Sequence, residues 1–136
     1  MNGNQIIVHS LITYDDKVMV TKRSKNEDTY PEYWDIPGGL ANIGEMPRDA
    51  VIRETKEEVN LDIVPTEIIH EDSNYDLKKD TIFIRLVYAC KLKSDISNIE
   101  IDQSEHSEYR LINKISDLDG ELISPFLQDI LTQWFE

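Results

Sequence analysis

The chain is expected to fold as an α/β sandwich, and three observations lead there. An acidic helix with a single apolar stripe, residues 46–59, interrupts a series of strand-like segments. Residues Ile82 to Cys90 are almost continuously apolar, as a strand covered on both faces must be. The last stretch, Ser124 to Phe135, spaces Phe126, Leu127, Ile130, Leu131 and Trp134 at helical intervals. At 136 residues, a single domain over 1–136 is expected, large enough to bury roughly two thirds of the surface that its unfolded chain exposes.

Taken in order, Gln5–Tyr14 and Val18–Thr21 are β-branched and apolar around the polar turn Asp15-Asp16-Lys17, a hairpin signal. Arg23 closes the second strand, and the aperiodic polar loop that follows it, with Pro31, is of a kind that often covers a binding site. Trp34 and Ile36 alternate with Asp35 in a short strand entering Pro37-Gly38-Gly39, where the glycines make either a plain tight turn or a close backbone approach to a ligand. Trp34 reads as core or pocket wall rather than as a stacking platform.

The helix begins at Met46 or Pro47, since proline in the first turn loses no hydrogen bond, and ends at Val59 with Asn60 in the left-handed stop position. Three or four residues apart, Glu54, Glu57 and Glu58 share one face, while Val51, Ile52, Thr55 and Val59 form the packing stripe opposite. Like charges at this spacing cost a helix a few tenths of a kcal/mol per pair. Such a face is either solvated or a place for a hard divalent cation, which takes oxygen ligands. Spacing also lets Arg53 hold Glu57 one turn on, and Glu45 hold Arg53 from the helix start.

Downstream, Leu61–Glu71 and Thr81–Leu92 are strand-like, with the segment 72–80 expected as a loop between them. Residues Lys93–Asp102 are polar and irregular, and a strand follows with Ser107, Tyr109 and Leu111 on one face, then a short segment near Ile115. Ser124-Pro125 supplies a cap and first turn for the closing helix, whose stripe is core.

Composition narrows the function. With 14 basic against 27 acidic residues, a formal charge of −13, the chain lacks the basic patch that a nucleic-acid polymer requires. Small anions remain possible ligands if a cation bridges them to carboxylates. Cys90 stands alone, so no intramolecular disulfide forms, and its setting in LVYAC is that of a buried thiol. Neither a secretory leader nor a long apolar run is present, so a cytoplasmic location without membrane contact is expected.

Read from Gly39, with five residues to Glu45 and seven more to Arg53-Glu54-Thr55-Lys56-Glu57-Glu58-Val59-Asn60-Leu61, the segment resembles the box of the Nudix hydrolases, G-x5-E-x7-R-E-U-x-E-E-x-G-U. Seven of its nine specified positions match; Thr55 stands for an aliphatic residue and Asn60 for glycine, and neither departure removes a charge. The resemblance implies an α/β/α sandwich with a mixed sheet between helices. It implies metal-assisted attack of water on a phosphorus of a diphosphate, with Mg2+, or Mn2+, held by Glu54, Glu57 and Glu58 and the carbonyl of Gly38. Glu54 is then also the candidate base, Arg53 and Glu45 orient the site, and Arg23 and Gly39 meet substrate. A further carboxylate often comes from a later loop in such enzymes; Glu105 in SEHSEYRLI fits, with Glu108 second and His106 a weaker candidate beside their reading as exposed loop residues.

Substrate identity is less marked. A nucleoside triphosphate or modified nucleotide, as in the MutT-type branch, is favoured over ADP-ribose or a nucleotide sugar. No proline or tyrosine typical of other branches stands at its usual offset, Tyr75 being near but not at it. Isopentenyl-diphosphate isomerase relatives use a cysteine near residues 36–39, where this chain has none. A non-catalytic nucleotide sensor and an acidic interaction module are the readings from other classes, and a homodimer is frequent in the family.

Overall fold

A computed structural model describes residues 3–136. Seven strands form one mixed sheet: β1 (Asn4–Tyr14), β2 (Lys17–Arg23), β3 (Trp34–Asp35), β4 (Gly38–Leu40), β5 (Ile63–Asp76), β6 (Thr81–Leu92) and β7 (His106–Ile112). Two α-helices accompany them, α1 (Pro47–Val59) and α2 (Pro125–Trp134), with 3-10 turns at Ile96–Asn98 and Ile115–Leu118. Strand order is β3-β2-β1-β6-β5, with β4 added on β1 and β7 on β2. β1 runs parallel to β6 from Asn4↔Ile82 to Thr13↔Lys91 and antiparallel to β2 and β4.

Strand alternation builds two cores, one on each face. Val8, Ile12, Met19, Tyr88 and Cys90 point to the side covered by Ala50, Val51 and Val59 of α1. Leu11, Val18, Val20, Val87 and Ile112 point the other way, against Leu127, Ile130 and Leu131 of α2. The apolar run in β6 is thereby explained, since successive residues belong to different cores. Burial also raises the Cys90 thiol to about 12, which keeps it protonated. Trp34 is wholly buried, as core.

Several boundaries move. Gly38 and Gly39, read as either a tight turn or a close approach to a ligand, begin a strand, Gly38–Leu40, paired with Ile7–His9 of β1. β5 continues past Glu71 to Asp76, because β6 offers it backbone partners as far as Thr81, and so most of the expected loop 72–80 is ladder. Ser107 and Tyr109 are exposed, whereas Leu111 packs on the α1 side. Ser124 sits at the N-cap of α2 without making the side-chain cap bond, and Trp134 is 40% exposed. No helix among the described residues is long and apolar enough to cross a membrane, which says nothing about a β-barrel.

Candidate active site

Helix α1 lays its acidic face along β4 at one end of the sheet. Its anchor is a hydrogen bond between two buried hydroxyls, Thr55 Oγ1 and Ser10 Oγ of β1, 2.8 Å apart. Asn60 ends the helix with φ 59°, left-handed as its place in the sequence implies, and its Nδ2 donates to the Asn98 carbonyl at 3.0 Å. Free carbonyls at the helix end are taken by the following loop: Glu100 N–H donates to Val59 O at 2.9 Å and Asp102 N–H to Glu58 O at 2.8 Å. Those two bonds bring the loop carrying Glu105 against Glu58.

The three glutamates of the helix face do not share one environment. Glu57 is open, its side chain 57% exposed, and among the described residues its carboxylate is paired with Arg53 alone, at 3.2 Å. Glu54 is half-buried and 3.0 Å from Arg53. A Cβ placed on Gly39 would come within 2.5 Å of Glu54 Oε2, so glycine is required there for this carboxylate to lie against β4. Burial raises the Glu54 carboxyl above its ordinary range despite Arg53.

Arg53 is the hub. It donates to both oxygens of Glu45, at 2.9 and 3.0 Å, and to the Leu40 carbonyl at 3.1 Å. Those bonds hold Glu45 down at about 2 and push the Arg53 pKa well up, so both stay charged. The expected positioning pair, Glu45 with Arg53 and Arg53 with Glu57, is present as read from spacing.

Glu58 points inward and is 3% exposed; its Oε2 accepts the Gly38 N–H at 2.8 Å. Removal from water, together with the neighbouring Glu105 carboxyl, raises Glu58 to about 10, so without a cation it carries a proton. His106 Nδ1 lies 3.7 Å from Glu58 Oε1, buried and without a hydrogen-bond partner. Burial lowers the His106 pKa, so the two neighbours face each other uncharged.

Ligand atoms of Glu58, Glu105 and His106 all lie within 4.8 Å of one another. A buried carboxyl that carries a proton when no cation is bound, a second carboxyl beside it and an unsatisfied ring nitrogen form a donor set that a divalent cation would complete, with carboxylate oxygens suited to Mg2+ or Mn2+. Of the residues expected to bind metal, Glu58 lies here, met by the Gly38 N–H and not by the expected Gly38 carbonyl, while Glu54 and Glu57 are held by Arg53 one turn away. Glu105 is present; Glu108 instead faces Arg110, at 3.7 Å, outside the site.

Alongside opens a cleft of about 550 Å³, lined by Gly38, Gly39 and Arg23 at one end and by Arg85, Ser124 and Phe126 at the other. Arg23 is braced by Asp35 at 3.2 Å and by the Thr29 carbonyl at 2.9 Å. His9 lies between, its Nδ1 3.3 Å from the Ile36 carbonyl and its ring 4.7 Å from Phe126. Asp35, His9, Arg85 and Phe126 escaped the reading of the sequence because each sits inside an ordinary strand or helix pattern. A charge inside an apolar strand run, as Arg85 is in β6, was the one signal available.

A NUDIX domain model matches residues 4–128. An RNA pyrophosphohydrolase of Dinoroseobacter shibae is 31% identical over 118 residues, covering 76% of this chain and 72% of that protein. An m7GpppN-mRNA hydrolase of Xenopus laevis is 37% identical over 59 residues, a match that spans 43% of this chain and only 19% of the relative. Among solved structures, a MutT protein from Methanosarcina mazei Go1 superposes with a TM-score of 0.78 at 25% identity over 97% of this chain and 93% of its own.

Proposed function

The chain belongs to the Nudix family, and we propose that it is a pyrophosphohydrolase splitting a nucleoside triphosphate or modified nucleotide at the anhydride. Supporting this most directly is the cluster of Glu58, Glu105 and His106 beside Gly38, in a smaller pocket that shares Arg23 and Gly38 with the cleft. Nudix hydrolases generally use a divalent metal; Glu58 and Glu105, with Glu54, Glu57 and the Gly38 carbonyl, are the groups that would hold Mg2+ or Mn2+. The chemistry supplied there is neutralisation of phosphate charge and a lowered pKa for water.

The chain's own groups do the rest. Arg53 fixes Glu54 and Glu57 on one side of the cleft, and Glu45 fixes Arg53 in turn. Glu54 takes the proton of the attacking water, for which a carboxyl raised above its ordinary range is better suited than an unperturbed one. Water oxygen bonds to phosphorus as the bridging P–O bond breaks, and the leaving phosphate keeps the bonding electrons. Arg23 meets the non-reacting phosphate oxygens, held in place by Asp35.

Incubation with MgCl2 and a panel of nucleoside triphosphates, ADP-ribose and nucleotide sugars, with release of phosphate or pyrophosphate followed, tests the reading. Turnover of one class supports it; metal binding without turnover of any member would favour a non-catalytic sensor. A second reading, attack on the 5′ triphosphate of an RNA, is favoured by the name of the 31%-identical relative and opposed by the −13 charge. Competition between a free nucleotide and a triphosphorylated oligonucleotide separates the two. We also propose that the activity resides in one domain over 1–136 and that the chain forms a homodimer, to be read by sedimentation.

A further inference from the structure

The far end of the cleft has a built character that the hydrolytic chemistry leaves unused. Arg85 rises from β6 and sits over the Phe126 ring, its Cζ 4.1 Å from the ring centre. Its Nη1 donates to both oxygens of Asp72 on β5, at 3.1 and 3.3 Å, and Asp72 is itself gripped by His70 Nε2 at 2.6 Å. Nε is shielded and unpartnered. Nη2 has no hydrogen bond among the described residues, on a side chain that lines the cleft and is 28% exposed.

Two further polar groups face the same space from deep in the fold. His9 is 7% exposed, lines the cleft and spends Nδ1 on the Ile36 carbonyl, which leaves Nε2 as an acceptor. Ser124 is 3% exposed and lines the cleft with a hydroxyl that does not cap its own helix. An oxyanion is a poor fit: Asp72 already neutralises Arg85, and the His9 lone pair would repel it. A planar heterocycle beside Phe126 fits, with one acceptor for Arg85 Nη2 and one donor for His9.

We propose that Arg85 is the specificity-determining residue of this enzyme, selecting a nucleobase that carries a ring carbonyl oxygen and rejecting adenine. A guanidinium donor favours the strongest neutral acceptor available, and an exocyclic carbonyl is stronger than a ring nitrogen. Guanine, cytosine, uracil and thymine offer one; adenine presents an amino donor instead, which leaves Arg85 facing another N–H. Asp72 is the positioning residue, since it fixes which nitrogen of Arg85 is left for the ligand. This rests on the pyrophosphohydrolase reading above and names the substrate class for it.

The test measures kcat and KM with MgCl2 for GTP, CTP, UTP, ATP and ADP-ribose, and in parallel the calorimetric affinity of the corresponding non-hydrolysable α,β-methylene triphosphates. Wild type should favour the carbonyl-bearing bases over adenine about tenfold to one-hundredfold, chiefly through KM and affinity, as one hydrogen bond from a charged group provides. Arg85→Leu should erase that preference by lowering kcat/KM and affinity for the carbonyl-bearing bases far more than for ATP, and Arg85→Lys, which keeps the charge but loses the guanidinium, should erase most of it. Asp72→Asn should weaken the preference through a raised KM for the carbonyl-bearing bases. A wild type that favours adenine, or an Arg85→Leu that lowers every nucleotide equally, overturns the assignment. So does failure of every analogue to bind. Base-selective, Arg85-dependent binding with no turnover would instead sink the hydrolytic reading and leave Arg85 as the selector.

Discussion

Thr55 departs from the aliphatic residue that the box favours, and Ser10 supplies the reason, since the two buried hydroxyls satisfy each other at 2.8 Å. Thr55→Val restores the family pattern and matches the shape, yet it strands the Ser10 hydroxyl. It should therefore cost about 1–3 kcal/mol, read as a lower urea midpoint, and Ser10→Ala added to it should recover most of the loss. A neutral single variant would show that the hydroxyl pair is irrelevant to stability. At Glu57 the expectation runs the other way. Its carboxylate is open and, among the described residues, paired with Arg53 alone, so Glu57→Gln should melt within a few degrees of wild type while turnover falls on the order of 100-fold, as loss of a metal or acid–base group requires. Activity within a few-fold of wild type would remove Glu57 from the site.

For helix α1 as an element, the C-terminal end matters most. Asn60 accepts the left-handed conformation at some cost but gains a bond to the Asn98 carbonyl, tying down the loop that carries Glu105. Asn60→Gly relieves the first and loses the second, two effects of about 1 kcal/mol each and of opposite sign. Global stability should barely change. Amide exchange at Glu100 and Asp102, whose N–H groups close the helix end, should accelerate, and turnover should fall with the loosened Glu105. Unchanged exchange would mean that the loop is held elsewhere. Motif spacing made α1, its stop residue and the Glu45–Arg53–Glu57 brace legible, because all three depend on neighbours within one or two helical turns. β4 and the long β5 were not legible: Gly38–Leu40 has no strand propensity, and the 72–76 segment is polar, so only pairing partners made strands of them.

Across the whole molecule, the proton on Glu58 links folding, metal and pH. Folded, this carboxyl is raised to about 10 against an ordinary 4.5. The native state thus keeps a proton that the unfolded chain gives up, and its contribution to stability, full below the ordinary value, is lost as pH rises toward 10. Metal-free protein should melt at progressively lower temperature from pH 6 to pH 9. Saturating MgCl2, which replaces that proton, should raise the melting temperature more at pH 9 than at pH 6, with NaCl of equal ionic strength as the control for screening of the −13 charge. A magnesium shift of the same size at both pH values would place the cation away from Glu58.

Taken alone, the amino-acid order determined the family, the α/β sandwich, the helix bearing Glu54, Glu57 and Glu58, and the candidacy of Glu105, because those features rest on periodicity and on motif spacing within a short span. Tertiary structure decided which glutamate is buried and protonated, which is open, and that His106 joins Glu58 and Glu105 while Glu108 does not. It also brought Arg85, Phe126, His9 and Ser124 to one cleft from four separate elements. Burial and neighbouring charge are properties of packing between distant segments, and it is these, not residue type, that set a carboxyl's pKa or leave a guanidinium nitrogen facing a ligand.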